Sequence, residues 1–197
     1  MSAQPNATKG VELPKNVESP KSIELSKNPS ALKQVKNIDW NNRKYIRAGV
    51  IPFVQRGEIR FFGFGVENGV AAIGDFGGHY ENKDRDLLDT AIREYNEEAF
   101  QVFGELNREM LQNCYVLEGN DTLEILLPVR DPFYQYTQKF HELVGSNIEH
   151  EVQSIVWLSR RQVLTAIDSQ ESAYEGTKIY HMYSRIRDTL HKNREFL

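Results

Sequence analysis

This chain is poor in cysteine, in long apolar runs and in surplus positive charge, and each shortage excludes a class of protein. A lone cysteine, Cys114, rules out an intramolecular disulfide and any zinc site built from several cysteines. Its neighbours Tyr115 and Val116 predict a buried small hydrophobe in a reducing, intracellular setting. No apolar stretch reaches the length of a membrane span, and "MSAQPNATKG" lacks the hydrophobic core of a signal peptide. The expectation is a protein of the cytoplasm or nucleus with no membrane partner. A formal net charge of −4 argues against a protein that coats nucleic acid, because non-specific phosphate binding needs a basic surface. A local basic groove stays open.

What the chain does have is 197 residues of which 40% are hydrophobic, enough for one domain with a real core. No aromatic residue occurs before Trp40. Residues 1–37 are instead rich in Pro, Asn, Ser and Lys, and "VELPKN", "VESPKS" and "IELSKN" repeat as hexads from Val11 to Asn28. Units so short bury too little to stack, so 1–37 reads as a disordered tail and 38–197 as the domain. A docking role for the tail is the alternative.

From Trp40 the pattern changes. "KYIRAGVIPFVQ" and "IRFFGFGVE" read as two strands around the turn "RGE", with Pro52 demoting part of the first to an edge or bulge. "AAIGDF" is a short strand ending at Gly77-Gly78, and 86–99 is a predicted helix with Leu87, Ala91, Ile92 and Tyr95 on its apolar stripe. "NCYVLEG" and "DTLEILLPV" are further strands, "PFYQYTQKFHELVG" a helix, and "VQSIVWL" a strand followed by a helix that Ser159 caps. The last segment, from Thr177, places Ile179, Met182, Tyr183, Ile186 and Leu190 at helical spacing. Mixed strands and helices in this order predict an α/β sandwich.

The carboxylates of "REYNEE" stand out. Glu94, Glu97 and Glu98 fall at i, i+3 and i+4 and share one helix face, where three like charges repel unless a cation lies between them. Oxygen-only anionic ligands suit a hard divalent ion such as Mg²⁺ or Mn²⁺. Gly77 and Gly78 allow the backbone to bend close to the same ion, and Arg93 is placed to steer Glu94 or meet a phosphate. A solvated acidic helix face is the competing reading.

With Gly77-Gly78 followed by "REYNEE" at 93–98, the segment resembles the Nudix box, G-x5-E-x7-R-E-U-x-E-E-x-G-U, with Tyr95 in the bulky apolar slot. "IVWLSRRQVL" is similar to the strand, tryptophan and helix that close that fold. The resemblance runs from about residue 44 to 168 and implies a Nudix-type α/β/α sandwich with a mixed sheet. Two departures are visible: the count from Gly78 to Arg93 is one residue long, leaving Glu81 and Asp84 as the nearby loop acids, and Phe100 stands where the box has its last glycine. The wording "FGFGV", "GDFGG" and "AIREYNEE" is also similar to Nudix proteins of large DNA viruses, a branch that includes mRNA-decapping enzymes.

The resemblance implies a pyrophosphohydrolase that uses Mg²⁺ or Mn²⁺, held by Glu94, Glu97, Glu98 and Gly78, to cleave a diphosphate linkage in a nucleotide-type substrate. Capped RNA is one such substrate, and small nucleotides are another. Catalytic roles fall to Arg93, Glu94, Glu98 and a late-loop base, for which Glu151 is preferred over Glu149 and His150; Gly77, Gly78 and Arg93 would contact substrate. Phe53, Phe62, Phe64, Tyr134 and Tyr136 are conceivable base platforms, and the final helix, with Lys178, Arg185, Arg187, Lys192 and Arg194, could guide RNA. A non-catalytic binding module on the same scaffold is the alternative of a different class.

Overall fold

A computed structural model describes residues 32–145, 150–169, 173–175 and 178–197. In chain order the elements are β1 (Lys33–Gln34), a 3-10 turn (Val35–Asn37), β2 (Arg47–Arg56), β3 (Ile59–Glu67), β4 (Ala72–Gly74), β5 (Phe76–His79), α1 (Leu87–Ala99) and α2 (Arg108–Leu111). They continue with β6 (Tyr115–Glu118), β7 (Thr122–Pro128), α3 (Tyr134–Val144), β8 (Val152–Ser159), α4 (Arg160–Ser169), β9 (Ala173–Glu175), β10 (Lys178–Met182) and α5 (Ser184–Lys192). The sheet runs β1-β6-β7-β2-β3-β4-β10-β9, with β5 also on β2 and β8 also on β3. Parallel pairs β2·β7 and β4·β10 sit among antiparallel ones, so the sheet is mixed.

Strand alternation divides the core into two layers. On β2, Val50 and Val54 join one cluster with α1 and α3, while Ile51 and Phe53 join another with α4 and α5. On β8, Ile155 and Trp157 face the first cluster and Val156 and Leu158 the second. Side chains of period 2, apolar on both faces, need cover on both sides. The result is helices on both faces of a mixed sheet.

Pro52 does not sit on an edge or in a bulge. β2 is central, and its one flank pairs with β5 through Val50 and with β3 from Phe53, leaving Pro52 in the gap between the two ladders. No pairing is lost there, which is how the interior strand tolerates a residue without an N–H.

Two boundaries move. Residues 33–37, expected in the tail, belong to the domain: Lys33–Gln34 pair with β6, Val35 is buried, and the Trp40 indole donates to the Val35 carbonyl at 2.9 Å. The hexad repeat itself lies outside the described residues. The expected single C-terminal helix is a strand and then a helix, because Tyr180 and Met182 are buried while Ile179 is exposed, a period of 2 that overrides the helical spacing. Ser159 closes a capping box, its hydroxyl and its N–H both reaching Gln162 Oε1 at 2.6 and 2.8 Å. Cys114 is buried, and burial pushes its thiol up to about 12.

Candidate metal centre and substrate cleft

The centre is built where β5 meets α1. Gly49 and Gly77 face each other across the β2·β5 ladder, and a Cβ on Gly77 would strike the Gly49 backbone. A Cβ on Gly78 would instead run into the Glu94 carboxylate. The glycine pair therefore leaves room for α1 to press its acidic face on bare backbone. Asp86 starts α1, its side chain accepting from the N–H groups of Leu88 and Asp89 at 3.0 and 3.2 Å. Leu87, Leu88, Ala91, Tyr95 and Ala99 are buried on the adjoining face, which fixes the helix rotation.

Glu98 reaches deepest. It accepts from the Gly77 N–H at 2.9 Å, and burial, then the charges of Asp75, Glu151 and Glu94, push its carboxyl up to about 9 against the pull of Arg47. Glu94 is also raised, by burial first, with Arg93 opposing. Glu97 is half exposed and lies 3.1 Å from Arg93 and 3.8 Å from Lys83.

Arg93 is the hub. Its guanidinium meets Asp84 twice at 3.0 Å, Glu94 at 2.7 Å and the His79 carbonyl at 3.2 Å. Asp84 is buried, and although burial pulls it upward, the hydrogen bonds from Arg93, Glu81 N–H and Thr90 hold it below its ordinary value. Of the two loop acids left open, Asp84 holds the arginine, while Glu81 stays 3.4 Å away with its side chain about half exposed. Phe100, where the box has glycine, adopts φ 47° and is followed by Gln101 at φ 54°.

A second ion-pair network, not foreseen from sequence, lies behind the first. Arg47 grips Asp75 at 2.7 and 2.8 Å, Glu124 at 3.1 Å and the Gly77 carbonyl at 2.7 Å. Burial and then Asp75 raise Glu124 well above its ordinary value, with Arg47 opposing. These partners are separated by up to 77 residues, and only the strand alternation of β2 hinted that Arg47 points into the domain.

A cleft of about 340 Å³ opens over the centre, lined among others by Arg47, Asp75, Gly77, Glu98, Glu151 and Tyr183. Glu151 thus stands in the same cavity as Glu98, and its carbonyl accepts from Asn68 N–H at 2.7 Å. His150 is spent structurally: its Nδ1 lies 2.7 Å from the Val152 carbonyl, its Nε2 3.0 Å from the Glu97 carbonyl, and its ring stacks on Phe100 at 4.1 Å. Glu149 lies outside the described residues. Of the aromatic candidates, Phe53, Phe62 and Phe64 are wholly buried core, while Tyr136 is partly buried and Tyr134 exposed.

Among the described residues no three His, Cys, Asp or Glu side chains form a ready-made metal-ligand group. The donor chemistry nonetheless suits a hard divalent cation. Glu98 is partly buried beside three other carboxylates, and a bound cation would offset the desolvation and repulsion that raise its carboxyl.

No family model matches the chain, and no curated protein matches it. Solved structures that align with it include a Nudix hydrolase from M. smegmatis, RenU, at 12% identity and TM-score 0.45, over 79% of this chain and 86% of that one. A C. elegans Ap4A hydrolase aligns at 16% identity and TM-score 0.43, over 76% and 95%. Neither speaks for the narrower likeness to viral decapping proteins. Among the described residues no helix is long and apolar enough to cross a membrane.

Proposed function

We propose that this chain is a Nudix-type pyrophosphohydrolase that cleaves a diphosphate linkage in a nucleoside diphosphate-linked substrate. The observation that carries the reading is Glu98, a partly buried carboxyl held on the Gly77 N–H among Asp75, Glu94 and Glu151 at the floor of an open cleft. Such crowding of acids has a use when a cation and a polyphosphate enter together. It has none in a solvated helix face.

Glu94, Glu97, Glu98 and the backbone at Gly78 would hold Mg²⁺ or Mn²⁺. When bound, the ion supplies charge neutralisation for the diphosphate and a more acidic water. Arg93 orients Glu94 and is itself fixed by Asp84, so the carboxylate is aimed before substrate arrives. Arg47 fixes the Gly77 carbonyl and shields Asp75, which keeps the floor rigid. Glu151, which lines the cleft, would take the proton of an attacking water.

A panel assay tests this: RNA labelled in its cap, dinucleoside polyphosphates, nucleotide sugars and nucleoside triphosphates, each with Mg²⁺ and with Mn²⁺, and Glu98→Gln as control. The expected outcome is release of a nucleoside phosphate by the parent and not by the variant. Capped RNA is the finer candidate and cleavage of the cap would establish it. Binding without turnover across the panel would leave the scaffold as a binding module.

A further inference from the structure

Resting on that reading, we propose that Tyr183 is the platform on which the substrate's nucleobase stacks. Three tyrosines are strongly exposed among the described residues: Tyr80, Tyr134 and Tyr183. Of these, only Tyr183 lines the cleft that holds Glu98 and Glu151. Tyr134 borders a different groove, of about 650 Å³, with Phe133 and Trp157, which shares no lining residue with the acidic cleft.

The position of Tyr183 is set by backbone, so its ring is not a loose surface group. Met182 pairs with Ile73, and Tyr183 N–H donates to the Ile73 carbonyl at 3.1 Å. The ring lies along Gly74, where a Cβ would come within 3.3 Å of Tyr183 Cδ2. One flank of the ring is thus bedded on a bare strand, yet the residue remains 46% exposed. An aromatic side chain that is bedded on Gly74, exposed, and inside a cavity also lined by four carboxylates and two arginines is poorly suited to packing and well suited to a flat apolar ligand face. A base stacked on Tyr183 would leave its phosphates directed toward the Gly77–Glu98 floor, in the same cavity.

Arg185 lines the cleft near Tyr183. It is pinned by Asp121 at 3.2 Å and His79 Nε2 at 3.3 Å, which stiffens the start of α5 behind the ring.

The test is equilibrium binding, by calorimetry in Mg²⁺, of ADP and of inorganic pyrophosphate, which share a diphosphate and differ in the nucleoside. The parent should bind ADP roughly tenfold more tightly than pyrophosphate, the preference expected of one stacked base. Tyr183→Ala should erase that preference and leave pyrophosphate binding unchanged, whereas Tyr183→Phe should keep it. An unaltered ADP preference in Tyr183→Ala, with the thermal midpoint intact, would overturn the platform while leaving the diphosphate site standing; a loss in Tyr134→Ala would then move the base to the α3 groove. A parent that binds neither ligand would sink both the platform and the hydrolase reading.

Discussion

Glu98 gives up its proton late, and that has a cost. Unfolded, it titrates near 4.5; folded and metal-free, it holds its proton to about 9. Between those values the native state binds a proton that the unfolded chain lacks, so rising pH favours unfolding, by an amount on the order of a few kcal/mol. In chelator, the denaturation midpoint of the parent should fall from about pH 5 to about pH 8, and Glu98→Gln should flatten that fall. An equal fall in both proteins would place the burden elsewhere. The glycine pair offers a second dissection. Gly78→Ala meets only the flexible end of Glu94, so the metal-free midpoint should barely move while the stabilisation by Mg²⁺ or Mn²⁺ is lost. Gly77→Ala meets the Gly49 backbone, which cannot swing aside, and should destabilise the fold by about 2 kcal/mol or more in urea. At this scale the sequence displays Glu94, Glu97, Glu98 and Arg93 because helical periodicity is local. It hides Arg47, Asp75 and Glu124, because their meeting depends on the order of strands in the sheet.

Where α1 ends, the chain turns through two consecutive left-handed residues, Phe100 and Gln101, neither of them glycine. Each non-glycine residue in that region costs about 1 kcal/mol, but the two positions differ in what they return. The Phe100 ring stacks on His150 and packs near Phe140, tying the end of α1 to the segment that carries Glu151. Gln101 is exposed and its side chain makes no such contact. Gln101→Gly should therefore stabilise the protein by about 1 kcal/mol, whereas Phe100→Gly should lose as much packing as it relieves strain. Equal gains at both positions in urea titrations would refute the assignment of the Phe100 ring to that tie. Helix α1 and its cap at Asp86 are legible from local sequence, as is the capping box at Ser159. The strand β10 is not, because Ile179, Met182, Tyr183 and Ile186 satisfy a helical spacing while Tyr180 and Met182 satisfy a strand. Pairing with β4 decides between them, and that contact spans more than a hundred residues.

At the scale of the whole molecule, the described cations at the C-terminal end are held by partners within the fold. The net charge is −4, and the basic residues of the C-terminal segment are largely engaged: Arg185 with Asp121, Lys192 with the Gly119 carbonyl at 3.0 Å, and Arg194 with Asp168 at 3.1 Å. Arg187 lies 3.9 Å from Asp188 on its own helix. Lys192 fastens α5 to the turn between β6 and β7, so its charge serves the fold. A protein of this design should recognise the diphosphate end of a ligand and hold the rest weakly. For a single-stranded RNA, each neutralised phosphate steepens the dependence of log K on log salt by about 0.7. With those C-terminal cations kept by their internal partners, the slope should be shallower than about −2, that of roughly three contacts, and substituting Arg194 by Gln should leave it unchanged. Fluorescence anisotropy of a labelled oligonucleotide across a salt series measures it. A slope of about −4 or steeper, with Arg194→Gln reducing it, would show that these cations leave their internal partners for phosphates, and would favour a long RNA over a small nucleotide as the molecule this cleft was shaped to hold.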